Sequence, residues 1–156
     1  MYLLCPIKYT KMRKILITGL PGSGKTTLAK ILVKKLKAKW LNADKIRKKY
    51  KDWDFSKKGI LRQSKRMSKL SEKSKKHKYV VADFICPYEK GRKNFSPDYI
   101  IWMDTIKKGR FKKNSIDNQF QKPKKYDFRI KKKNATLWGK KITAHIVKSN
   151  QKKNEE

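Results

Sequence analysis

A chain of 156 residues, 37% of them hydrophobic, is long enough for one domain with a real core. Its 45 basic against 12 acidic residues give a net charge of +33, which draws polyanions to the surface. No run of 18 apolar residues is present, which excludes a spanning helix, and two cysteines are too few for a disulfide framework or a metal spacing.

The basic residues are 38 Lys and only 7 Arg, and the lysines are spread along the whole chain. Arg is the better residue for bidentate phosphate and base contacts. Solvated faces under a compositional Lys bias therefore compete with non-specific nucleic-acid binding as the reading of the charge. Reduced cysteines fit a cytoplasmic setting.

Taken in order, residues 1–11 are expected to be an extension outside the fold, because Met12 stands directly before the first strand. The run Ile15, Leu16, Ile17 reads as that strand. It leads into Gly19, Leu20, Pro21, Gly22, Ser23, Gly24, Lys25, Thr26 and Thr27, the phosphate-loop pattern G-x-x-x-x-G-K-[ST]. Leu28, Ile31, Leu32 and Leu36 follow at helical spacing. Gly22 and Gly24 can adopt positive φ and admit a phosphate close to the backbone. The loop N–H groups and the helix N-terminus favour an anion there. Lys25 can reach the β- and γ-phosphates, and the Thr26 hydroxyl can bind Mg²⁺.

Ala38 to Asn42 reads as a second strand, followed by a helix over Lys45 to Lys51. Ser56 is a plausible N-cap for a helix over 57–76, in which Ile60, Ser64, Met67, Ser71 and Ser74 form a core-facing stripe. Tyr79 to Phe84 is a buried-type strand, and Asp98 to Met103 is a fourth. Residues 106–123 are polar and aperiodic, as a mobile loop would be. Tyr126 to Ile130 reads as a fifth strand, and Asn134 can cap a last helix. Residues 12–148 then make one domain, and residues 149–156 a frayed tail.

Strands alternating with helices imply an α/β fold: a doubly wound, five-stranded, mainly parallel sheet with helices on both faces. Ligands bind such sheets outside the strand carboxyl ends. The candidate polar residues fall there: the phosphate loop, Asp44 and Arg47, Asp83, and Asp104.

Phosphoryl transfer needs an acceptor base and positive charge over the moving group. Asp44 is the candidate base, and Arg47 can hold an acceptor anion as a fork. Asp83 closes an apolar strand, where a magnesium-binding acid can sit. Arg110, in the Lys-rich loop, can close over the phosphates. A plain Asp cap, a solvated strand end and an unstructured loop are the bland alternatives for these three places. Phe55 and Phe84 either stack on a base or pack in the core.

These residues resemble the adenylylsulfate kinases, which move the γ-phosphoryl group of ATP to the 3′-hydroxyl of adenylylsulfate. The resemblance rests on GLPGSGKTTLA, then NADKIR (Asn42 to Arg47), DFS (Asp54 to Ser56), FICPYEKGR (Phe84 to Arg92), Asp104 with Thr105, and FQKPKKYDFRI (Phe120 to Ile130), in that order. It covers residues 14–130. The resemblance implies a P-loop NTPase-type fold, ATP and Mg²⁺ as cofactors, adenylylsulfate as small-molecule acceptor, and a role in sulfate assimilation; a homodimer is compatible with it. It implies Asp44 as the base, Arg47 against the phosphosulfate, Phe55 against the acceptor adenine, and Ile85 and Pro87 lining the acceptor site.

The chain departs from the family pattern at several places. Asn42 stands for its first acid and Lys45 for its Asn. Gly59 and Ile60 stand for an Asp-Arg pair, leaving Arg62 or Arg66 as the candidate substitutes, and Gln63 stands for an Asn. Asp83 is an added acid that can offset the loss at 42. Two other readings stay open: a polynucleotide 5′-hydroxyl kinase, and a non-catalytic protein binding nucleotide and polyanion.

Overall fold

The computed structural model describes residues 11–109 and 116–155. Five strands form one sheet in the order β2-β3-β1-β4-β5: β1 (Arg13–Gly19), β2 (Lys39–Asn42), β3 (Tyr79–Asp83), β4 (Tyr99–Met103) and β5 (Phe128–Ile130). Every pairing is parallel. The central strand registers Ile17 opposite Asp83 on one side and Gly19 opposite Met103 on the other. The carboxyl ends of all the central strands therefore open onto one rim.

Successive residues of a strand face opposite sides. Ile15 and Ile17 join Leu28, Leu32, Ile142 and Ile146 in a core beneath α1 (Lys25–Leu36) and α6 (Ala135–Glu155). Leu16 joins Ile46, Met67, Phe84 and Phe95 beneath α2 (Ala43–Tyr50), α3 (Lys57–Glu72) and α4 (Glu89–Phe95). Burial on both faces explains why β1 and β3 read as continuous apolar runs.

Helix starts follow local chemistry. The Ser56 hydroxyl accepts from the Gly59 N–H at 3.1 Å and caps α3, as its sequence predicts. Asn134 accepts from the Leu137 N–H at 3.1 Å at the start of α6. The predicted stripe of α3 is buried throughout, from Ile60 to Ser74. The helix itself stops at Glu72 rather than 76. There Ser71 and Ser74 turn their hydroxyls onto the carbonyls of Ser68 and Leu70, which competes with helix continuation.

Three segments differ from expectation. Residues 89–95 form α4, whose buried side chains are mainly Arg92 and Phe95, so it carries no apolar period. In the stretch expected as a mobile loop, α5 (Ile116–Gln119) forms, and Gln121 donates its N–H to the Pro87 carbonyl at 2.8 Å. The expected tail continues α6 to Glu155, because buried Asn150 is pinned between Arg13 and Tyr79. Residues 1–10 of the expected extension lie outside the described residues.

Candidate active site

A cleft of about 810 Å³ runs along the rim of the sheet. One end is the phosphate loop. Gly22 and Gly24 hold φ of 85° and 100°, in the left-handed region that a side chain would strain. Gly24 is the N-cap of α1, with no side-chain cap and no acid in the first turn. The start of α1 therefore favours an anion. The loop is anchored from below by the Thr105 hydroxyl, which donates to the Ser23 carbonyl at 2.7 Å. Gly19 is obligatory, since a Cβ there would lie 2.7 Å from the Met103 carbonyl oxygen. The Lys25 ammonium donates to the Leu20 carbonyl at 2.9 Å.

The floor of the cleft is built on Asp83, which is 3% exposed. Its carboxylate accepts from the Thr26 hydroxyl at 2.9 Å, the Trp40 indole N–H at 2.7 Å and the Asn42 amide at 3.1 Å. Burial pushes this carboxyl above the ordinary range, and the three donors pull it back. Asn42 has two tasks, since its carbonyl oxygen also accepts from the Lys45 N–H at 3.0 Å and caps α2. The cap of α2 is therefore Asn42 and not Asp44. Asp44 stands exposed in the first turn of α2 and lines the cleft with Arg47.

Arg47 is not a surface residue; it is 5% exposed. Its guanidinium donates to the carbonyls of Asp52 and Asp54, at 2.9 and 3.3 Å, and lies 4.4 Å from the Phe55 ring centroid. Burial lowers its pKa, and the neighbouring Asp52 carboxylate opposes that shift. Phe55 is 45% exposed on the cleft wall rather than packed in the core. Trp53 also lines the cleft, a place that its position in a sequence-predicted loop does not reveal.

Ile85 and Pro87 line the cleft beyond β3. The Ile85 carbonyl accepts from the Thr18 hydroxyl at 2.6 Å, and Cys86 turns the chain with a φ of 45°. Burial pushes the Cys86 thiol up to about 12, so it is no thiolate at neutral pH. Buried Arg92 donates to the carbonyls of Pro87 and Gln121 and stacks on Phe120. It thereby fixes the loop after β3 to the segment after α5. Ile60, Tyr88 and Ile116 close this end with an apolar cluster.

The arginines expected to replace the one missing at Ile60 do not reach the cleft. Arg62 forks onto Asp52 at 2.9 and 3.0 Å and onto Asp54 at 3.1 Å. Arg66 donates to Asp52 at 2.8 Å and to the Gln63 side chain at 2.6 Å. Asp52, Asp54 and the Gln63 side chain take up both forks, and neither arginine lines the cleft. Gln63 does line the cleft, with its amide donating to the Ala43 carbonyl at 3.3 Å. Gly59 has no room for a side chain, because a Cβ would lie 2.3 Å from the Asp54 carbonyl oxygen. Arg110 lies outside the described residues. Lys133, which nothing in the sequence marks within the run Lys131 to Lys133, reaches the phosphate loop.

No helix among the described residues is long and apolar enough to cross a membrane. No curated protein sequence matches the chain. Solved structures match its fold. The APS kinase of Mycobacterium tuberculosis, in complex with AMPPNP and APS, is 22% identical, with 85% of this chain and 95% of that one covered and a TM-score of 0.72. A hexameric APS kinase from Thiobacillus denitrificans is 18% identical over 94% of this chain and 31% of its own, with a TM-score of 0.70. Shikimate kinase from Acinetobacter baumannii, in complex with shikimate, is 15% identical over 90% and 96%, with a TM-score of 0.63. The fold is thus that of the P-loop kinases. The sequence pattern of the adenylylsulphate kinase family matches residues 11–99, from the first strand to the start of β4. That match spans more than half of the chain, and the chain belongs to the adenylylsulphate kinase family.

Proposed function

We propose that this chain is an ATP-dependent kinase that phosphorylates the 3′-hydroxyl of adenylylsulfate. The observation carrying this reading is one continuous cleft, with the phosphate loop at one end and Asp44, Arg47, Phe55, Ile85 and Pro87 at the other. Gly22 through Thr27 hold the triphosphate with backbone N–H groups, and Lys25 moves its ammonium from the Leu20 carbonyl to the β- and γ-phosphates. Asp44 orients the acceptor hydroxyl and takes its proton as the oxygen attacks the γ-phosphorus and the bond to the β-phosphate oxygen breaks. Arg47 and Phe55 hold the acceptor, and Gln63 keeps α3 against the start of α2. Arg110 is the proposed cation that closes over the moving group.

The donor set fits Mg²⁺, which favours one or two carboxylates completed by substrate phosphates and water. Thr26, with Asp83 behind it, would hold the ion. When bound, it would neutralise charge on the β- and γ-phosphates.

The test offers labelled ATP to the protein with adenylylsulfate, shikimate and a 5′-hydroxyl oligonucleotide in turn. Label on adenylylsulfate supports the proposal. Label on another acceptor overturns the substrate, and no transfer to any overturns the kinase. Lys25→Ala should abolish transfer while the unfolding temperature holds.

A further inference from the structure

We propose that Lys133, in the loop between β5 and α6, is a second nucleotide-binding cation that contacts the polyphosphate from across the phosphate loop. The Lys133 ammonium donates to the Gly22 carbonyl at 2.9 Å, while that of Lys25 donates to the Leu20 carbonyl at 2.9 Å. Two ammonium groups from opposite ends of the chain thus rest on carbonyls two residues apart in the same loop. The Lys133 stem crosses directly over the start of α1, its Cε 3.7 Å from where a Gly24 Cβ would stand. No acid in the first turn of α1 competes for that charge.

The contact is exposed, so it adds little to the stability of the fold. Lys133 lines the cleft, whereas its neighbours Lys131 and Lys132 do not. A neutral carbonyl is the weaker partner for an ammonium; a phosphate oxygen gives a charge-assisted bond. The unbranched Lys stem allows that exchange over a short distance. The inference rests on the kinase reading above, and it adds a residue from outside the phosphate-loop motif to the donor site.

The experiment titrates ATP and AMP into the wild-type chain and into Lys133→Met, Lys133→Gln and Lys133→Arg. Loss of one hydrogen bond to a charged group predicts roughly tenfold weaker ATP binding in the Met and Gln variants. AMP binding should change far less, and Lys133→Arg should recover most of the ATP affinity. Unchanged ATP affinity in both neutral variants overturns the inference. So does an equal loss for AMP and ATP, which would mark a contact to the nucleoside or a change in the loop. Wild-type protein that binds no ATP refutes the kinase reading and this inference together. Wild-type binding with unaltered Lys133→Met and Lys133→Gln variants refutes the inference alone.

Discussion

The Thr26 hydroxyl donates to the Asp83 carboxylate at 2.9 Å, joining the first turn of α1 to the end of β3. The residue that follows the phosphate-loop lysine is thereby oriented by a buried acid from the neighbouring strand. Asp83 also holds Trp40 and Asn42, so a single carboxylate gathers three elements at the cleft floor.

Asp83→Asn separates stability from activity. Burial raises the Asp83 pKa, so its ionised form opposes folding in full above the native value, and that opposition eases as pH falls from the native value through the ordinary carboxylate range. A neutral amide removes the opposition but keeps only one of the two oxygens that accept from Thr26, Trp40 and Asn42. The two effects oppose each other, so the unfolding temperature at neutral pH should shift little. Mg²⁺-dependent transfer should fall roughly 10- to 100-fold, as for a residue that orients a metal ligand. Calorimetry and a transfer assay on one preparation check both.

Asp44→Asn should lower turnover roughly 100-fold or more, if its carboxylate takes the acceptor proton. ATP affinity should remain that of the wild type, since the phosphate loop is untouched. Turnover within a factor of a few would remove Asp44 from the base role.

Asp52 concentrates the acid sensitivity of the corner between α2 and α3. Hydrogen bonds from Arg62 and then Arg66 hold its carboxyl well below the ordinary range. A depressed native pKa gives stability that is present above the unfolded value and lost as pH falls through the native one. The α2–α3 corner should therefore hold through mild acid and loosen only in strong acid. Asp52→Asn should remove about 2 kcal/mol, since several guanidinium groups lose their shared partner. Chemical denaturation at pH 7, with Trp53 emission as the local signal, measures it.

Gly59→Ala tests the fit between α3 and the loop ahead of it. The new methyl would collide with the Asp54 backbone, which cannot swing aside as a side chain can. A loss of about 1–3 kcal/mol is expected, as for other overpacked sites. Because Arg47 is held by the Asp54 carbonyl, acceptor KM should rise while ATP affinity is kept.

Much of this was readable where the signal is local. The strand, loop and helix from Arg13 to Leu36 follow from apolar spacing and glycines within one short stretch. The caps at Ser56 and Asn134 depend on residues three positions away. What stayed hidden depends on partners far along the chain. Arg62 looks like a spare anion binder until Asp52, ten residues earlier, folds onto it. Helix α4 buries a guanidinium, which no hydrophobic period reveals. Asn150 looks like a tail residue, yet Arg13 and Tyr79 reach it from 137 and 71 positions away. Lys133 is one lysine among 38, and only its distance from Gly22 sets it apart.

The contact between Arg13 and Asn150 also has a practical side. It brings the beginning of β1 together with the last turns of α6, at the amino end of the sheet away from the phosphate loop. The length of β1 from Arg13 to Gly19 separates that end from the loop, a span of about 20 Å. A fluorophore or an immobilising tether coupled there would leave the path of the nucleotide clear, so binding can be followed on a surface without obstructing it.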